Sequence, residues 1–182
     1  APIFFCQGTH FQAQARLDYA RPFLVQQEGA GIVQASLGYA RPFLLDEVAR
    51  EFPRLTIVIS SLGHPWVEEG IALVGKHPRV FADVASLLRR PWQAYNALVL
   101  AYQYRVMDKI LFGSDFPYFT AAEAIEGLYR LHEVVQGTNL PPVPRETLRS
   151  VVERDALTAL GIARTSDAAA ARRTDSEPLF RT

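Results

Sequence analysis

In the stretch "LFGSDFPYF" (111–119) Asp115 comes after an apolar run and stands directly before Phe116 and Pro117. A carboxylate placed there can hold a metal ion, accept a proton from a water, or cap the next turn. Three other apolar runs end on reactive side chains: Cys6, Gln7 and His10 after the first, Ser60, Ser61 and His64 after the second, Asp83 and Ser86 after the third. Ser114 and Tyr118 accompany Asp115 after the fourth. Cys6, His10, His64 and Asp115 offer a thiolate, two imidazoles and a carboxylate, donor types that tetrahedral zinc accepts. Each also has a plainer reading. Cys6 behind "IFF" suits a small buried hydrophobe. His64 in "GHPW" suits a hydrogen-bonded loop residue, with Trp66 packed at a helix start. His77 and His132 read as helix-surface residues, and Trp92, Tyr95, Tyr102 and Tyr104, at helical spacing, read as packing residues.

The elements that must position these groups alternate. "PIFF" (2–5), "LTIVIS" (55–60), "RVFADV" (79–84) and "KILFGS" (109–114) are rich in β-branched or aromatic residues and read as strands. "TIVI" is apolar on both faces, as in a sheet covered on both sides. Between them lie helical signals. "RPFLLDEVAREFP" (41–53) places Phe43, Leu44, Val48 and Phe52 near one face, and "PWVEEGIALVGKHP" (65–78) opens acidic and closes basic. "RPWQAYNALVLAYQYRV" (90–106) is a third helix, and "TAAEAIEGLYRLHEVV" (120–135) is a fourth, with Thr120 and Glu123 forming a capping box. "RETLRSVVERDALTALGI" (145–162) is a further helical region. Strand–helix alternation predicts parallel strands joined by crossover helices. In such folds the loops after the carboxyl ends of the strands build the site.

With 182 residues, 49% hydrophobic and 21% charged, the chain can bury the core of one domain. Its 19 basic and 19 acidic residues balance, so no net field draws nucleic acid or an anionic membrane surface. A single cysteine excludes an internal disulfide and fits a cytoplasmic location. No run approaches the roughly 20 apolar residues of a membrane span. "LDYARPFL" (17–24) recurs as "LGYARPFL" (37–44), a tandem repeat read as an inserted surface segment. The apolar run inside it is too short to assign to strand or helix. Residues 164–182 form a polar tail expected to be mobile.

"FPRLTIVISSLGHPWVEE", then "DKILFGSDFP", then "ERDALTALGI" resemble the second half of the amidohydrolase-related family, metal-dependent hydrolases and decarboxylases on a TIM barrel. The similarity spans roughly residues 1–163. It implies an α/β chain carrying strands 5 to 8 of that barrel, with a small organic carboxylate or cyclic molecule as substrate and a divalent ion, zinc or manganese, as cofactor. By the same resemblance Asp115 matches the strand 8 aspartate, a metal ligand and proton acceptor. The strand 5 histidine position falls on Cys6, or on Gln26 if the second repeat copy is the barrel strand. The strand 6 position falls on Ser61, and no His-x-His pair of strand 1 is present. The implied site is therefore Asp115 as catalytic residue, Asp115, Cys6, His64 and His10 as metal donors, and Trp66 and Tyr118 as pocket walls.

Missing ligands predict impaired activity, and the competing expectation is a non-catalytic scaffold or truncated pseudoenzyme. Half a barrel also leaves strand edges and an apolar inner face. Self-association, or a partner over the open half, is the expected remedy.

Overall fold

The computed structural model describes residues 3–5, 24–27, 31–34 and 40–162, with side chains from residue 40 onward. The tail expected at 164–182 lies outside the described residues. In chain order the elements are β1 (Ile3–Phe5), β2 (Leu24–Gln27), β3 (Gly31–Gln34), α1 (Leu45–Glu51), β4 (Ile57–Ile59) and α2 (Val67–Lys76). Next come β5 (Val80–Asp83), α3 (Pro91–Gln103), β6 (Ile110–Leu111), α4 (Ala121–Tyr129), α5 (Arg145–Glu153) and α6 (Ala156–Leu160). The four runs expected to be strands are β1, β4, β5 and β6, and they pair in that order as one sheet. Every pairing is parallel, with Ile3 opposite Ile57, Ile57 opposite Val80 and Ala82 opposite Ile110.

Alternation along the strands divides the core. Ile57, Ile59, Val80, Ala82 and Ile110 are buried together with Ile71 and Val74 of α2, Leu98 of α3, Leu128 of α4 and Leu148 of α5. The intervening residues Val58 and Leu111 form a second cluster with Leu160 of α6, flanked by the partly buried Phe81. The inner face expected to lie bare is thus partly covered by the last helix. Asp155 starts that helix by accepting the Thr158 N–H at 3.2 Å, splitting the expected final helix into two. Beside the break Arg154 donates to the Ile110 and Met107 carbonyls at 3.2 and 3.0 Å, tying the turn to β6. The Thr120–Glu123 capping box is present as expected.

The described end of each repeat copy leads into a different element. Leu24 of the first copy opens β2, which pairs antiparallel with β3. In the second copy Pro42–Leu44 form a 3-10 turn that leads into α1. The residues beyond each copy decide its fate: "VQQEGAGIVQ" offers a partner strand across a short turn, whereas "LDEVARE" places acids in the first turn and an arginine in the last. The tighter turn also rotates the helix. Its buried side carries Leu45 and Ala49, while Phe43, Leu44 and Phe52, expected on the core face, are 54%, 53% and 62% exposed.

Two further expectations are corrected. His77 is no surface residue: its Nε2 lies 2.7 Å from Asp46 Oδ1, and Lys76 Nζ reaches the same carboxylate at 2.7 Å, so α1 and the end of α2 are joined by charge. Lys109 donates to the Val74 and His77 carbonyls, satisfying that helix end. Of the aromatic residues on α3, only Tyr95 is in the core, with its hydroxyl donating to the Pro141 carbonyl at 3.0 Å. Trp92, Tyr102 and Tyr104 are exposed, because a thirteen-residue helix on a sheet buries one stripe only. Among the described residues no helix is long and apolar enough to cross a membrane.

The turn after β4 rests on α2 at Gly70, where a Cβ would sit 2.3 Å from the Leu62 carbonyl oxygen. Gly70→Ala should therefore cost about 1–3 kcal/mol through forced displacement of backbone. Gly75→Ala on the same helix would meet nothing closer than 3.5 Å and should be neutral or stabilising. Chemical denaturation of both variants checks this, and equal midpoints would refute the close approach.

Candidate functional site

Strand β4 delivers the chain into a turn in which Ser61 (φ 52, ψ 38), Leu62 (φ 52, ψ 22) and Gly63 (φ 77) are all left-handed. Such backbone costs a non-glycine residue roughly 1–2 kcal/mol, so something must hold it. The Ser61 N–H donates to Asp83 Oδ1 at 2.9 Å, and the Ser61 hydroxyl lies 2.6 Å from that of Ser86. The Ala85 N–H donates to the same Asp83 oxygen at 3.0 Å. Asp83, the last residue of β5 and opposite Leu111 in register, thus clamps the turn after its own strand to the turn after its neighbour.

The third strand end brings Asp115, again left-handed at φ 62. Its Oδ2 is shielded from solvent and lies 3.7 Å from Arg89 Nη1. The Arg89 guanidinium stands 4.6 Å from the centre of the Tyr118 ring, and the Tyr118 N–H donates to the Asp115 carbonyl at 2.9 Å. One loop therefore supplies both the carboxylate and the ring that flank this cation. Four non-glycine residues have positive φ among the described residues, Ser61, Leu62, Arg105 and Asp115, and three of them stand at this rim. Strain gathered at one place is a signature of sites under functional constraint.

The charges interact. Burial raises Asp83 above the ordinary carboxylate range, its two backbone donors oppose the rise, and the Asp115 charge adds to it. Burial, and then the neighbouring Arg89, lower Arg90. Burial, and then the Arg90 charge, lower His64, which favours a neutral imidazole. The rim therefore combines two carboxyl groups, Asp83 and Asp115, with the guanidiniums of Arg89 and Arg90.

Among the residues expected to act, Asp115 and Tyr118 stand together with Arg89 between them. His64 lies beside Arg90, and Trp66 is half-buried as the N-cap of α2. Cys6, His10 and Gln26 lie outside the residues whose side chains are described. Arg89 and Arg90 are not among the expected site residues, and their signal in the sequence is the "RRP" that ends the turn after β5 and opens α3. Asp83 and Ser86 stand out in the sequence only by their place after a strand, and Ser61 by its place at the strand 6 position.

The donors described do not fit the divalent ion that the resemblance implies. Ser61 stands at the strand 6 ligand position with its hydroxyl turned to Ser86. No three His, Cys, Asp or Glu side chains gather as a possible cage among the described residues. The Arg89 cation is already beside Asp115. A divalent ion on that carboxylate at about 5 Å from the guanidinium would be repelled by roughly 7 kcal/mol at an effective dielectric of about 20, unless Arg89 moved away.

Comparison with known proteins bears on the fold and on the family. A family model described as Amidohydrolase matches residues 2–161. An uncharacterized TIM-barrel protein from Bordetella bronchiseptica has a similar structure, at 22% sequence identity and a TM-score of 0.51. The match covers 69% of this chain and 41% of that one, so this chain spans about two fifths of the length of that barrel protein. No curated protein sequence matches.

The raised Asp83 gives a pH test. Its carboxyl holds a proton more tightly in the folded chain than in the unfolded one, where the ordinary value is 3.8. Its contribution to stability is therefore fully present below that value and declines as pH rises through the folded pKa. Asp83→Asn keeps an acceptor for Ser61 and Ala85 without the titration. It should be more stable than the parent at neutral pH, with the gap closing toward about pH 4. Denaturation midpoints across that range check it, and a gap independent of pH would refute it.

Proposed function

This chain belongs to the amidohydrolase family, and from that premise we propose that it carries the rim of a hydrolase or decarboxylase centre acting on a small organic carboxylate. The observation that supports this reading is the juxtaposition of Asp83, Asp115 and Arg89 at the carboxyl ends of parallel strands. Two carboxyl groups whose environments differ can divide acid and base roles between them. Asp83, buried and raised, serves as the proton donor. Asp115, beside a guanidinium, serves as the acceptor that takes a proton from water in hydrolysis or manages the proton at carbon in decarboxylation. Arg89 and Arg90 bind the carboxylate of the substrate, and Tyr118 and Trp66 wall the mouth of the site. Zinc or manganese remains the family's expectation for the cofactor, with His64, Cys6 and His10 as its further donors. No catalytic step is built on it, because the described donors do not form its cage.

A second reading, a non-catalytic subunit that keeps the family fold, is favoured by one observation: Ser61 in place of a ligand is locked to Ser86 rather than presented to a substrate. Turnover separates the two readings. The full chain is incubated with a panel of small carboxylates and their lactones or amides, followed by NMR, with Asp115→Asn alongside. The enzyme reading expects Asp115→Asn to lower turnover about 100-fold or more while ligand-induced stabilisation persists. No turnover by the parent, with the variant indistinguishable from it, would establish the scaffold instead.

We further propose that a second copy of the chain covers the open half. Among the described residues the sheet ends at β1 and β6 rather than closing, and Phe43, Leu44 and Phe52 are large apolar side chains left exposed. Light scattering should show a concentration-dependent dimer that Phe52→Asp weakens. A strictly monomeric parent over the whole concentration range would overturn this.

A further inference from the structure

We propose that Arg89 takes the electrostatic place of a divalent cation at Asp115, so that this chain's centre is organised without a metal. The inference rests on the reading of Asp115 as the middle of the site and says what neutralises it.

Three features of the rim converge on this assignment. The first is charge. The Arg89 guanidinium lies 3.7 Å from Asp115 Oδ2, so the carboxylate after β6 already has a cation beside it. The second is confinement. The Arg89 side chain is only 26% exposed and the Asp115 side chain 14%, so the pair lies in partly desolvated surroundings where its attraction is screened less than on an open surface. Tyr118, three residues beyond Asp115 in the same loop, faces the guanidinium with its ring centre 4.6 Å away. The third is the neighbouring ligand position. Ser61 there has its hydroxyl engaged by Ser86 and its N–H engaged by Asp83, so the turn after β4 is tied into protein bonds that a metal ligand would have to leave. Arginine suits the role because its guanidinium stays charged at every working pH and offers several donors in one plane, matching a carboxylate from the protein on one edge and from a ligand on another.

The test uses the full chain, stripped with chelator and dialysed, with metal content and melting temperature followed as zinc or manganese is added. Neither measurement needs turnover, so failure here is read separately from failure of the enzymatic reading. The parent should retain well under one equivalent of metal and show no rise in melting temperature. Arg89→Met, which removes this guanidinium from beside Asp115, should gain a manganese-dependent rise that the further change Asp115→Asn abolishes, and Arg89→Lys should behave as the parent. One equivalent of metal on the parent, with stabilisation lost in Asp115→Asn, would overturn the proposal. So would an Arg89→Met variant that folds and ignores metal. If Arg89→Met alone does not fold, Arg89→Met/Asp115→Asn reads the same coupling: recovery of a folded chain supports the proposal and continued failure overturns it.

Discussion

Parallel pairing of β4, β5 and β6 makes each of these strands end on the same side of the sheet, and the chemistry of the rim depends on that constraint. An antiparallel neighbour would carry its trailing residues to the opposite edge. In register, Ile59 stands opposite Ala82 and Asp83 opposite Leu111. The residues just past each strand are then within reach of one another, and Asp83 can accept from Ser61 and Ala85 with a single oxygen. Removing the parallel register would dissolve the clamp, the strained turns and the carboxylate pair together.

Once the ends are gathered, electrostatics limits what can occupy them. Two carboxylates near each other and away from bulk water cannot both ionise freely. One response is a raised carboxyl pKa, which burial gives Asp83. The other is a cation, and Arg89 provides it for Asp115. The left-handed backbone at Ser61, Leu62 and Asp115 is sustained by these same contacts, since each strained residue, or the residue beside it, takes part in a bond at the rim. Local strain and charge pairing therefore support one arrangement.

The covering of the sheet obeys a different rule. Helices α2 to α5 pack on the face that carries Ile57, Ile59 and Val80, as a crossover between parallel strands demands. Leu160 of α6 reaches the other face and buries Val58 and Leu111 there. The apolar residues of the turn before α1 and of its carboxyl end stay exposed.

The sequence alone was enough to locate the four parallel strands, the α4 capping box and the placement of Asp115 behind a strand, because those features are local: apolar runs, cap residues and turn residues act within a few positions of themselves. It was also enough for the family, since "LGHPW" and "FGSDFP" are contiguous motifs. Only the tertiary structure decided which face α1 buries, that one repeat copy leads into a strand and the other into a helix, that His77 pairs with Asp46, and that Arg89 rather than a histidine cluster stands beside Asp115 among the described residues. The physical reason is common to all four. A side chain's partner across the fold depends on register and on the angle at which neighbouring elements pack, and neither is written in the residues adjacent to it in the chain.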